Sequence, residues 1–66
     1  MYKSIKEKPD NGQLCICRCP DWNDEGYQIA CYRDGAFEYD GQPNDMFHDL
    51  VIAYIPLNSN GEPKDS

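Results

Sequence analysis

Sixty-six residues fit one domain, and a chain this short hides only about 60% of the surface its unfolded form exposes, so its core is thin. Enclosed ligand pockets usually run to roughly 300–1,000 Å³, more than such a core can wall in, which places function on an outer face and disfavours catalysis. Twelve Asp plus Glu against six Lys plus Arg give a formal charge of -6, a field that repels nucleic acid and anionic membrane and favours basic partners.

The charge is unevenly spread. Residues 1–20 hold Lys3, Lys6, Lys8 and Arg18 against Glu7 and Asp10. Between Asp21 and Asp49 stand Asp21, Asp24, Glu25, Asp34, Glu38, Asp40, Asp45 and Asp49 against Arg33 alone, a local balance of -7. No apolar run approaches the ~20 residues of a membrane helix, and Met1-Tyr2-Lys3-Ser4-Ile5-Lys6 lacks the apolar stretch of a secretion signal. The expected location is the cytoplasm, where the four cysteines would be free thiols.

In chain order, Pro9-Asp10-Asn11-Gly12 predicts a tight turn, since proline fixes φ and Asn-Gly accepts positive φ. Residues 13–19 alternate Leu14, Ile16 and Arg18 with Cys15, Cys17 and Cys19, which predicts a central strand with apolar residues on both faces. Pro20 withholds an amide and ends it, and residues 20–26 read as a loop. Residues 27–33 set Tyr27, Ile29, Cys31 and Arg33 opposite Gln28, Ala30 and Tyr32. Asp34-Gly35 then turns a hairpin into a partner strand over residues 36–39. Residues 40–45 are turn chemistry throughout, and residues 46–50 are expected to form at most one helical turn, capped by Asn44 or Asp45, or to stay irregular. The β-branched and aromatic run 51–55 ends at Pro56 as a fourth strand. The expected fold is mainly β: a four-stranded antiparallel sheet or barrel-like meander over residues 1–57. Residues 58–66, without an apolar side chain, are expected to form a flexible tail.

Several of these segments resemble a small phage and prophage family known only as domain of unknown function 551, and the likeness covers most of the chain. Tyr2-Lys3-Ser4-Ile5-Lys6-Glu7-Lys8-Pro9-Asp10-Asn11-Gly12 is similar to its opening Trp-Ile-Ser-Val, charged triplet, Leu-Pro, acids and Gly, with Tyr for Trp and the Leu missing. Cys15-Ile16-Cys17 takes the place of a Val-Leu-Val strand, and Ile29-Ala30-Cys31-Tyr32-Arg33-Asp34-Gly35-Ala36-Phe37 resembles the middle hairpin. Val51-Ile52-Ala53-Tyr54-Ile55-Pro56-Leu57 resembles the closing Val-Thr-His-Trp-Met-Pro-Leu-Pro, but Ala53 replaces the His, Tyr54 the Trp and Asn58 the final Pro. A role resting on that His-Trp pair is therefore absent here. The resemblance implies a compact β fold and a phage or prophage origin, and carries no mechanism.

Cys15, Cys17, Cys19 and Cys31 supply enough thiolates for tetrahedral zinc. Cys-x-Cys-x-Cys on an extended strand spaces them roughly 6–7 Å apart, however, unlike the Cys-x-x-Cys turn that converges two sulfurs. Small buried apolar side chains are the main reading, with zinc and a Cys19–Cys31 disulfide as alternatives. His48-Asp49 outlines the minimal base of thiol catalysis, but no oxyanion donor or partner cysteine is marked. Asp21-Trp22-Asn23-Asp24-Glu25-Gly26 echoes a calcium loop and fails at the twelfth position, where Tyr32 stands in place of Glu.

Aromatic residues among acids are a different signal, because Trp and Tyr dominate binding hot spots. Asp21, Trp22, Asp24, Glu25, Tyr32, Asp34, Glu38, Tyr39 and Asp40 form the candidate partner-binding set, with Tyr27 beside them. The competing reading is that the tyrosines cover a thin core and the acids only confer solubility. The expected function is a phage-encoded accessory protein in the host bacterial cytoplasm that blocks a basic host surface, such as the nucleic-acid-binding groove of a defence complex. No enzyme activity, cofactor, direct nucleic-acid contact or membrane contact is expected. The alternatives are an assembly module that pairs with itself or a phage component, and a zinc-stabilised domain.

Overall fold

The alternation of residues 13–19 becomes β2, Leu14–Arg18, which lies inside the sheet between β3, Tyr27–Arg33, and β6, Ala53–Pro56. This computed structural model describes residues 2–64. The hairpin turn Asp34-Gly35, both at positive φ (54° and 88°), leads into β4, Ala36–Tyr39. Two-residue strands complete the sheet at its edges: β1, Lys3–Ser4, against β6, and β5, Gln42–Pro43, against β4. The single antiparallel sheet therefore has six strands in the order β1-β6-β2-β3-β4-β5, and it is open.

The architecture is all-β as expected, with two more strands than the sequence signals. Neither extra strand is long enough to show a period of two. β5 arises because Asp40 and Gly41, at φ 55° and 79°, make a second tight hairpin of the same Asp-Gly chemistry as the first. The strand expected over 51–55 begins two residues later, since the Val51 N–H bonds the His48 carbonyl and closes the helix before it.

That helix, α1, Asp45–Leu50, is capped by Asn44, whose Oδ1 accepts from the Phe47 N–H at 2.9 Å. It covers one face of the sheet with Phe47. Cys15, Cys17, Cys19, Ala30, Tyr32, Phe37, Val51 and Tyr54 are buried there with it, and Ile5 and Trp22 pack against the cluster. The cysteines sit where four large rings crowd together. A small apolar thiol on β2 leaves those rings room, and three of the cysteines are fully buried.

Among the described residues no second layer covers the other face. Ile16 stands between Ile29 on β3 and Ile55 on β6, flanked by Leu14, Tyr27, Cys31 and Ala53, and Ile29 is 53% and Tyr27 50% exposed. Residues 58–64, expected to be a loose tail, instead fold back in hydrogen-bonded contact with the sheet. Asn58 Oδ1 accepts from the Asn60 and Glu62 amides, Lys64 N–H bonds the Pro56 carbonyl, and Lys64 Nζ donates to Gln13 Oε1 at 2.7 Å. The Asx-type turn supplies locally the hydrogen bonds that composition alone does not reveal. The last two residues of the expected tail lie outside the described residues.

Candidate interaction surface

The acidic segment is placed on three turns and a helix. Asp21, Asp24 and Glu25 occupy the loop between β2 and β3, where Asn23 Oδ1 accepts from the Gly26 N–H at 2.8 Å and fixes the turn. Asp34 and Asp40 occupy the two Asp-Gly hairpins, and Asp45 and Asp49 lie on α1. All seven are exposed. Glu38, on β4, is half-buried and accepts from Arg33 Nε at 3.2 Å, which is the one ion pair among the described residues. Arg33 also donates to Cys31 Sγ at 3.5 Å, and the Cys31 sulfur together with the Glu38 carboxylate pushes its pKa up from the ordinary value. The sole base of the acidic segment is thus spent on one acid, and the others keep an uncompensated field. Lys3, Lys8 and Lys64 line a separate cleft of about 200 Å³ with Asp10 and Tyr54.

The aromatic half of the candidate set is divided. Tyr32 is buried, 6% exposed, edge-on to Phe37 at 5.2 Å, so its place on the contact surface is corrected: it belongs to the core. The alternation of β3 put Tyr32 and Tyr27 on opposite faces, and α1 turned the Tyr32 face inward. Trp22 folds back as an edge contact to Tyr39 (4.9 Å) and Phe47 (5.0 Å), half-buried, which makes it mainly a packing residue. Tyr39 remains 38% exposed on that cluster and borders the exposed Asp40.

The four thiols do not converge. Cys15 and Cys17 lie on the buried face of β2 and Cys19 is buried just past its end, whereas Cys31 is paired opposite Leu14 on the uncovered face of β3. All four are free, and no group of three metal-ligating side chains occurs among the described residues. Burial pushes the Cys15 thiol up to about 12 and raises Cys17 and Cys19 as well, the reverse of what a nucleophile or metal ligand needs. His48 is likewise structural: its Nδ1 accepts from the Phe37 N–H at 3.3 Å and its ring lies on Phe37 and Tyr32.

Sequence reasoning missed the apolar face of Leu14, Ile16, Ile29 and Ile55. The signal was present, since β2 is apolar on both sides, but it reads as a strand covered twice. Among the described residues one short helix is available, and it covers the sheet once. Beside this face a cleft of about 370 Å³ opens between β3 and the end of β4, and it brings together Leu14, Ile29, Cys31, Glu38, Tyr39 and Asp40. No helix among the described residues is long and apolar enough to cross a membrane. No known protein family, curated protein or solved structure matches the chain.

Proposed function

We propose that the chain is a phage-encoded accessory protein that binds and covers a basic protein surface of the host, of the kind that otherwise holds nucleic acid. The observation that carries this reading is the uncompensated acidity of residues 21–49, in which seven of the eight carboxylates are exposed and unpaired among the described residues. Such a field accelerates encounter with a basic partner and repels nucleic acid, so the protein competes with nucleic acid and does not bind it. The short segments that resemble the phage family are the ground for the proposed origin. The raised pKa values of the buried thiols support binding over catalysis, as does the packing of the His48 ring against Phe37.

The test is capture of bacterial proteins on the tagged chain at low and at high salt, with identification of what is retained. The expected outcome is a nucleic-acid-binding protein that is released by salt and displaced by added DNA. Retention that is insensitive to both overturns the reading.

A further inference from the structure

We infer that the edge of β3 from Tyr27 to Cys31 is a strand-addition site for an extended segment of the partner in which apolar residues alternate with Lys or Arg. The inference rests on the basic-partner reading above and specifies how that partner is held.

The phase of the β2–β3 ladder fixes which backbone groups are free. Tyr32 N–H donates to the Gln13 carbonyl at 2.8 Å and Cys19 N–H donates to the Gly26 carbonyl at 2.8 Å. Antiparallel alternation then assigns the amides and carbonyls of Gln28 and Ala30 to β2, and aims those of Ile29 and Cys31 at the opposite side. On that side the pairing with β4 runs through Arg33↔Ala36 and Tyr32↔Phe37, and because Tyr32 bonds towards β2 the second pair is closed by the Glu38 N–H donating to the Cys31 carbonyl. β4 then leaves β3 to pair with β5 through Glu38↔Pro43 and Tyr39↔Gln42. Residues 27–31 thus face no neighbouring strand among the described residues except at the Cys31 carbonyl, an edge of about 17 Å at the strand rise of ~3.4 Å per residue. The Tyr27 and Ile29 carbonyls accept there only from nearby side-chain amides, Asn23 Nδ2 at 3.1 Å and Gln28 Nε2 at 3.2 Å, which leaves the Ile29 and Cys31 amides without a strand partner. The 370 Å³ cleft is the gap left by this departure.

Charge and shape decide the occupant. The floor beside the edge is apolar, with Leu14 and Ile29 exposed, and the far wall carries Glu38 and Asp40. Asp24 and Glu25 stand immediately before β3 at the other end of the edge. An alternating segment places its apolar residues over Leu14 and Ile29 and its cations against these acids, while its backbone carbonyls accept from the Ile29 and Cys31 amides and its N–H displaces the Gln28 side chain from the Ile29 carbonyl. A second copy would bring the same acids against each other across a short strand, which like-charge repulsion opposes in a chain of charge -6.

The probe is a blocked nonapeptide alternating lysine and valine, compared with the same peptide N-methylated at every second residue and with its glutamate-valine counterpart. We expect the parent peptide to bind, with the Ile29 and Cys31 amides gaining hydrogen-exchange protection. N-methylation should weaken binding at least tenfold, and the glutamate peptide should bind at least tenfold more weakly than the parent. Equal binding of the N-methylated peptide, with shifts confined to the acidic loops, overturns strand addition and leaves the acidic-surface reading standing. Protected edge amides with no loss for the glutamate peptide overturn the basic occupant and the reading beneath it. Protection of Ile29 and Cys31 in the free protein, with sedimentation as a dimer, assigns the edge to a second copy and overturns the proposal.

Discussion

Trp22 and Phe47 meet edge to face, ring centroids 5.0 Å apart at 67°, so the acidic loop between β2 and β3 is tied to the helix that covers the core. Tyr39 closes the same cluster from β4, 4.9 Å from Trp22 and 5.9 Å from Phe47. Trp22→Ala should therefore act mainly on stability, costing about 2–4 kcal/mol as a half-buried aromatic lost from a thin core. Trp22→Phe should retain most of it. Urea denaturation checks both, and an alanine variant as stable as the parent contradicts the packing role.

His48 couples α1 to β4 by accepting from the Phe37 amide at 3.3 Å. His48→Phe keeps a ring against Phe37 and Tyr32 but removes the acceptor. The expected loss is about 1–2 kcal/mol from an amide left without its partner, read from the denaturation midpoint, with faster hydrogen exchange at Phe37.

The thiols give a pH signature. Burial raises Cys15 from 9.0 to about 12, and Cys17 and Cys19 also rise. In the unfolded chain these thiols ionise near 9.0, so above that pH the unfolded state binds fewer protons than the folded one. Stability is then fully present below pH 9.0 and falls as the pH climbs towards the folded values. The slope is up to about 1.4 kcal/mol per pH unit for each thiol held protonated. Denaturation midpoints across this range test the trend, and a flat profile contradicts it.

The same placement separates the thiols by reactivity. Cys31 is half-buried on the open face, while the other three are fully buried. A thiol reagent should label Cys31 first, and Cys31→Ser should abolish the fast phase. Labelling of the remaining three should follow global unfolding.

Much of this fold is legible in the sequence because the elements declare themselves locally. The alternation of Leu14 to Cys19, the Asp34-Gly35 turn and the Asn44 cap each carry a signal within a few residues, and each forms where expected. β1 and β5 carry no such signal, because a two-residue strand exists only through the neighbour it pairs with. The acids of the candidate surface are legible as charge, yet the inward turn of Trp22 depends on Phe47 and Tyr39, which arrive from distant elements. The open apolar face was masked by the same pattern that revealed β2. A strand apolar on both sides states that it wants two layers, and only the count of remaining elements tells that one is missing.

On the proposed reading, uncompensated acidity makes this chain a competitor of nucleic acid for a basic protein. The most direct test is a titration of the captured partner with DNA, with and without the chain, repeated as salt is raised. The account predicts competitive displacement of DNA and an affinity for the partner that falls steeply with ionic strength. Replacement of Asp21, Asp24, Glu25 and Asp40 by their amides should weaken that affinity further while the fold is kept. Simultaneous binding of DNA and the chain, or an affinity unchanged by salt and by those four substitutions, would contradict it.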